Sequence, residues 1–396
     1  MDIQSLGSAC CGCGACAAKC PVSAIRMLPD KAGFLYPSID DTICVGCGRC
    51  DAVCPRLHPR EADQLQSAYW SKSINADEIL KSSSGGLFAL LSHDVLDAGG
   101  IVVGASWSRD FSAVEHRIAG AEKDLDLLMR SKYVQSRISR DVYKEVKDAV
   151  SSGSRVLYSG TACQIAAIVS YLGDLANKDT FLTVEVACHG VPSPLLWAKW
   201  ASAVEERYSG SRLADVNMRQ KSTGWASYSV EYRFQKSCDG FVHTEVVPFN
   251  KDWYMKAFLA NASLRPSCFN CTAKRSCGSD ITLGDYWGIS AVHPSVNFHN
   301  GVSLVACNTQ KGASAFSAIV DRLEYGATDF DKAVAYNPCL YISVSPYKEG
   351  DKFLDDLENG ASITDLMKQY PFHRSIGQCI YEVLATIKRC VLRSDS

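Results

Sequence analysis

The sequence predicts a mixed α+β and α/β architecture: a small cysteine-rich N-terminal domain, a larger α/β domain and a helical C-terminal tail. Three observations predict it. Two matching cysteine runs end by Pro55. Strand-length apolar runs then alternate with amphipathic helices, the pattern of a sheet with some parallel pairing. From Lys311 onward helical periodicity takes over. A chain of 396 residues, 47% hydrophobic and 21% charged, is long enough for two or three domains of ordinary globular composition. The expected division is 1–60, then 61–150 and 151–310 as two parts of one domain, then 311–396.

The first element is the cysteine module. Cys10, Cys13, Cys16 and Cys20 follow C-x2-C-x2-C-x3-C with Pro21 next. Cys44, Cys47, Cys50 and Cys54 repeat it with Pro55 next. This is the bacterial-ferredoxin run, in which the fourth cysteine of each run serves the other cluster. A two-cluster ferredoxin-like domain with two [4Fe-4S] clusters is therefore expected, with Cys10, Cys13 and Cys16 joined by Cys54, and Cys44, Cys47 and Cys50 joined by Cys20. Gly12, Gly14, Gly46 and Gly48 let each loop turn sharply and aim N–H groups at sulfur. A zinc site would favour two separated C-x2-C pairs.

Composition narrows the class further. A net charge of -2 gives no field for nucleic acid. The N-terminus lacks a basic segment followed by an apolar run, and no apolar stretch is long enough for a transmembrane segment. Nineteen cysteines without a secretory leader point to a reducing, cytoplasmic setting.

Residues 57–66 read as a polar linker. Ser82, Ser83 and Ser84 then stand before a helix starting near Gly85, with Leu87, Leu90, Leu91 and Val95 on its apolar face. Gly99–Gly100 ends it, and Ile101–Ala105 is a buried strand. Arg155–Ser159 is a strand, Gly160–Thr161 a turn and Ala162–Leu172 a helix. Both helix starts are anion-binding arrangements, or ordinary caps. Cys163 lies where a helix N-terminus favours thiolate, or is simply a small buried residue. Strand Thr180–Cys188 leads to His189 and a helix over Leu195–Tyr208. Tyr228, Val230, Tyr232 and Phe234 alternate with polar residues as a half-buried strand. A turn at Cys238–Gly240 joins it to Phe241–Val247. A helix over Trp253–Leu259 and a strand over Val302–Cys307 follow. Cys268, Cys271 and Cys277 form C-x2-C-x5-C, read as three ligands of a third [4Fe-4S] cluster; Cys163 or Cys188 supplies the fourth. Zinc, or cysteines left from an unused site, are the alternatives. The tail ends in an amphipathic segment, His373–Arg393, suited to docking.

The motifs SSSGGLF, SKYVQS, SGTACQIAAI, CHGVPSP, RPSCFNC and SDITLGDYWGI, in this order behind the two cysteine runs, resemble the coenzyme F420 hydrogenase/dehydrogenase beta-subunit family over residues 1–310. The resemblance implies FAD in the α/β flavin-binding domain and electron transfer between clusters and a two-electron acceptor. It implies flavin contacts at Ser83, Ser84, Gly85, Gly86, Lys132, Tyr133, Gly160 and Thr161. Ala162 stands where the family often has proline. His189 is a candidate proton donor or structural histidine. Asp285 is a candidate ligand of a ribityl hydroxyl or a turn cap, and Lys132 a candidate cation near flavin or phosphate, or a solvated surface lysine. The expected partners are a ferredoxin or redox partner subunit and a small-molecule substrate or a deazaflavin coenzyme. Three functions stay open: a stand-alone flavin reductase, an electron-input subunit of a larger complex, and a non-catalytic accessory protein in polysaccharide biosynthesis.

Overall fold

The computed structural model describes residues 2–208, 211–236 and 242–372. The expected turn at Cys238–Gly240 and the segment His373–Arg393 lie outside them. In the N-terminal module, β1 (Ile25–Pro29) and β2 (Leu35–Ile39) form an antiparallel hairpin. Short helices, Ala15–Lys19 and Arg49–Ala52, follow the two cysteine loops. Each is preceded by a left-handed glycine, Gly14 at φ 81° and Gly48 at φ 66°, a conformation that costs other residues free energy.

The remaining strands are β3 (Ser67–Ser73), β4 (Ile101–Trp107), β5 (Val114–Ala119), β6 (Ser136–Arg137), β7 (Val156–Gly160), β8 (Phe181–Val186), β9 (Ser211–Gln220), β10 (Ser229–Lys236), β11 (Val242–Pro248), β12 (Ile281–Asp285), β13 (Ser303–Cys307) and β14 (Leu323–Ala327). A nine-stranded sheet has the order β14-β3-β13-β12-β8-β7-β4-β5-β6. Its centre, β12-β8-β7-β4, is parallel, and β13, β3, β14 and β5 pair antiparallel outside it. The mixed α/β expectation therefore holds, and the large sheet is mixed rather than purely parallel. In the parallel centre, Phe181, Val184, Leu157 and Ile281 are fully or almost fully buried, as strands covered on both faces require.

The helix Leu87–Asp97 buries Leu87, Leu90, Leu91 and Val95, as the periodicity predicts. The helix Ala162–Leu172 matches its expected span. A second sheet, β11-β10-β9, packs against the helix Pro194–Glu206 through Trp197, Trp200, Tyr232 and Phe234. Among the described residues, no helix is long and apolar enough to cross a membrane.

The structure corrects three readings. The serines do not cap the helix Leu87–Asp97: its N-cap is Gly86 at φ 91°, without a side-chain bond. The tail after Lys311 has helices at Gln310–Ser317, Phe330–Val334, Gly350–Glu358 and Ile363–Gln369, but it also contributes β14 to the edge of the large sheet. Residues 57–66 are irregular, yet Asp63 fixes them: its carboxylate accepts from the N–H of Cys277 at 3.2 Å and of Gly278 at 2.8 Å. The N-terminal module is likewise tied to the α/β body. The Tyr143 hydroxyl donates to the Cys13 carbonyl at 3.0 Å, Ser193 Oγ to that of Ala32 at 2.6 Å, and Lys19 Nζ to that of Tyr171 at 2.9 Å.

Candidate redox site

Three cysteine sets and one large cavity make up the site. In the first set, Cys10, Cys13, Cys16 and Cys54 line a small apolar cavity with Ile3, Leu6 and Met27. This is the grouping that a crossed pair of ferredoxin runs requires. The Gly12 N–H donates to Cys10 Sγ at 3.4 Å. Burial, with Cys10 and Cys54 nearby, pushes the Cys16 thiol up to about 12. Cys20 is buried in the same small core, against which Cys50 packs, and its Sγ accepts from the Ala24 N–H at 3.2 Å. Cys44 and Cys47 are exposed, beside exposed Ile43 and Val45.

The third set differs from the expected one. Cys268 and Cys271 share a cavity with both Cys163 and Cys188, and Cys11 and Cys339 also line it. Cys277 is absent from its lining. It is fully buried beside Asp63 and Glu185, and points its Sγ to Asp63 Oδ2 at 3.7 Å. The reason is the chain's path: Cys163 starts a helix after β7, Cys188 follows β8, and the 3-10 turn Pro266–Asn270 carries Cys268 over the same strand ends. Cys277 instead precedes β12 and enters the sheet from its other end. The helix start favours thiolate at Cys163, but the adjacent Cys11 thiol and burial oppose it and hold its pKa well above the ordinary thiol value. Burial and the neighbouring cysteines do the same to Cys188, and burial pushes Cys268 up to about 12. Burial and mutual proximity disfavour thiolate at Cys163, Cys188, Cys268 and Cys271, a preference that a bound cation would reverse. Among the described residues, no three His, Cys, Asp or Glu side chains converge as ligands of a single metal ion.

The large cavity, of about 650 Å³, opens at the carboxyl ends of the parallel strands, at Ala105, Gly160, Val186–Cys188 and Gly284–Asp285. Ligands of open α/β sheets bind in this crevice. Of the residues expected to contact flavin, Ser83, Ser84, Gly86, Lys132, Tyr133, Gly160 and Thr161 line it, as do His189 and Asp285. Gly85 does not. A Cβ there would lie 2.5 Å from the Ser71 carbonyl, so this glycine serves close packing of the loop against β3. Ser83 Oγ accepts from the Ser131 N–H at 2.8 Å, which joins the SSSGG and SKYVQS motifs into one wall.

Lys132 Nζ is held by the carbonyls of Met129 at 2.6 Å and Arg130 at 3.2 Å, and burial pushes its pKa down to about 7. Asp285 is committed elsewhere than to proton transfer. Its carboxylate accepts from Arg219 Nη1 at 2.9 Å and Nη2 at 3.2 Å and from Trp225 Nε1 at 2.9 Å. Burial opposes the Arg219 charge, but Asp285 and Tyr133 together hold its pKa above the ordinary value. The guanidinium lies 4.3 Å from the Tyr228 ring centre and 5.2 Å from that of Trp287, with Nε buried and unpartnered. His189 Nε2 meets Asn261 Oδ1 at 2.6 Å, its ring edges Phe258, and burial lowers its pKa.

Arg219 is the residue that sequence reasoning misses. Its signal is present: Arg219 and Lys221 alternate with Gln220 at the end of a strand whose inward positions are otherwise apolar. Lys221 Nζ donates to the carbonyls of Ile79, Ser84 and Asn300 at 2.7–2.8 Å, and pins the serine loop from behind.

The family model for the C-terminal region of the coenzyme F420 hydrogenase/dehydrogenase beta chain matches residues 153–333. The model for a 4Fe-4S dicluster domain matches residues 9–57. No curated protein matches the chain. Among solved structures, a chain of the F420-reducing [NiFe] hydrogenase complex from Methanosarcina barkeri, studied by xenon derivatisation, is similar at 18% identity. The likeness covers 78% of this chain and 92% of that chain at a TM-score of 0.44.

Proposed function

We propose that this chain, which belongs to the coenzyme F420 hydrogenase/dehydrogenase beta-subunit family, is an iron–sulfur flavoprotein that moves electrons between an external one-electron partner and FAD. That it carries iron–sulfur clusters and serves electron transfer follows from the matched domains; the flavin, the third cluster and the substrate are proposed. The observation that carries the reading is a shared wall. Cys188, His189, Gly190 and Val191 line both the Cys163/Cys188/Cys268/Cys271 cavity and the large cavity.

The large cavity fits FAD in three respects. Its volume lies within the range of cofactor sites, about 300–1,000 Å³. Its walls are apolar at Leu87, Phe88, Leu128, Met129 and Leu283. Its polar groups include the enclosed Lys132 and the unpartnered Arg219 Nε. Lys132 and the N–H groups at the start of Leu87–Asp97 would hold phosphate. Arg219, fixed by Asp285, and Tyr133, stacked on Phe258 at 4.7 Å, would flank the ring system. Bound FAD supplies exchange between one- and two-electron chemistry. His189 sits at the shared wall with Asn261 fixing its ring, placed to orient a substrate or hold a proton at one nitrogen.

The exposed Cys44–Cys47 loop favours a redox partner docking there, with Ile43 and Val45 as its apolar contact. The substrate is then a small molecule entering the large cavity. Anaerobic purification with iron, sulfide and flavin counted per chain tests the proposal. About twelve irons, four for each cluster, and one FAD are expected. Iron without flavin after reconstitution would overturn the flavoprotein reading.

A further inference from the structure

Arg265 is fully buried, at 0% exposure. A guanidinium remains charged at all ordinary pH, and a buried charge is costly unless it is paired. Its Nε donates to the Cys10 carbonyl at 2.8 Å, Nη1 to Gln135 Oε1 at 3.0 Å and Nη2 to the Leu35 carbonyl at 2.9 Å. All three acceptors are neutral. Among the described residues it takes part in no ion pair. Its other support is aromatic: the Tyr36 ring centre lies at 4.3 Å and that of Phe34 at 5.3 Å. Each of its three nitrogens makes one hydrogen bond, and its charge is left unneutralised.

Its position explains why that charge persists. Arg265 lies three residues before Cys268, whose N–H donates to the Arg265 carbonyl at 2.9 Å. Its side chain reaches the Cys10 carbonyl, so one residue ties a cysteine of the inner set to one of the first set. It lines the cavity of Cys163, Cys188, Cys268 and Cys271. Gln135, which accepts from it, donates in turn to the Cys11 carbonyl at 3.0 Å. Cys11 and Arg56 line both cysteine cavities, so the partition between them is thin. Arg56 adds a second cation, with Nη1 on the Asn270 carbonyl at 2.8 Å and Nε buried and unpartnered.

We propose that Arg265, with Arg56 beside it, is the counter-cation shared by the Cys10/Cys13/Cys16/Cys54 set and the Cys163/Cys188/Cys268/Cys271 set. It raises the reduction potential of both and fixes their spacing. This rests on the reading that both sets hold clusters. The potential of a thiolate-held cluster depends on net charge, hydrogen bonding and solvent exposure. A fixed interior cation favours the more negative, reduced form of each, and little water screens it. The set containing exposed Cys44 and Cys47 is screened by solvent and does not feel it to the same degree. Arg265 is thus a positioning residue for both sets and a ligand of neither.

The test is an anaerobic redox titration followed by EPR on the full-length reconstituted chain, comparing wild type, Arg265→Gln, Arg265→Lys and Arg56→Gln. Arg265→Gln is expected to keep its iron and to move two of three midpoint potentials to more negative values, with the third unmoved. Arg265→Lys keeps the charge and recovers most of the shift. Arg56→Gln, at a half-buried site, moves the same two potentials by less. If Arg265→Gln fails to fold, the Lys and Arg56 variants decide alone. Full iron with unchanged potentials in all variants would overturn the proposal and leave the three-cluster reading standing. A wild-type chain with only about eight irons would overturn both, and would do so before any variant is compared.

Discussion

Lys132 shows how much chemistry one residue's surroundings add. As a letter in SKYVQS it is a lysine with an ordinary pKa; in the fold, burial brings it down to about 7. Without a ligand, the unfolded chain binds this proton more tightly than the folded one between about pH 7 and the ordinary lysine value. Lys132 therefore makes the flavin-free protein more stable as pH rises through that window. Binding an anionic phosphate has the opposite sign. Above about pH 7 it requires proton uptake, so FAD affinity should fall by up to about tenfold per pH unit. Flavin titrations across this range should show that slope in wild type and in Lys221→Met, whose parent lysine also has a pKa of about 7 but lies outside the cavity lining. Lys132→Met should bind weakly and without the slope. A slope retained in Lys132→Met would remove Lys132 from the phosphate site. Gly85 gives the converse lesson. The family resemblance implies a flavin contact there, whereas its hydrogen is needed because Ser71 and Ser303 close over it. Gly85→Ala should cost about 1–3 kcal/mol of stability through overpacking, measured by denaturant unfolding, while the flavin site itself loses no contact.

Elements carry the site in a way single residues do not. The ferredoxin-type runs were legible because all their ligands sit within local loops, where spacing is geometry. The helix Leu87–Asp97 and the turn Gly160–Thr161 were legible from periodicity and small residues. The inner cysteine set was legible only in part. Cys268 and Cys271 announce themselves by spacing, but Cys277, which satisfies the same pattern and packs in the same hydrophobic cluster as Cys271, turns its Sγ to Asp63 and does not line their cavity. Only the parallel order of β7, β8 and β12 brings Cys163 and Cys188 to the ends where the Pro266–Asn270 turn lies. Long-range sheet order is not written in local periodicity. For the same reason β3 and β14 went unread: Ser67–Ser73 is largely polar, and its partner strand comes from the far side of β13 in the chain. Arg219 was hidden likewise, since its strand pairs with β10 while its guanidinium crosses to Asp285 of the other sheet.

At the scale of the whole molecule the cavities form a line of neighbours. The first-set cavity shares Cys11 and Arg56 with the inner-set cavity, which shares Cys188 to Val191 with the large cavity, and exposed Cys44 and Cys47 belong to the N-terminal module that carries the first set. The N-terminal module is bonded to the body through Tyr143, Ser193 and Arg265, so the line is fixed by the fold and not by a tethered domain finding its place. The same line accounts for the C-terminal helices. Phe353, Leu357, Leu366 and Tyr370 pack into the aromatic core behind Trp253, and the preceding stretch supplies Asn337, Pro338 and Val344 to the cavity wall. The central claim is that Cys163, Cys188, Cys268 and Cys271, and not Cys277, form the inner set. Iron content per chain, measured anaerobically in Cys188→Ser and Cys277→Ser beside wild type, tests it most directly. The account predicts a loss of about four irons, one cluster, in Cys188→Ser and none in Cys277→Ser. A loss in Cys277→Ser with full iron in Cys188→Ser would contradict it.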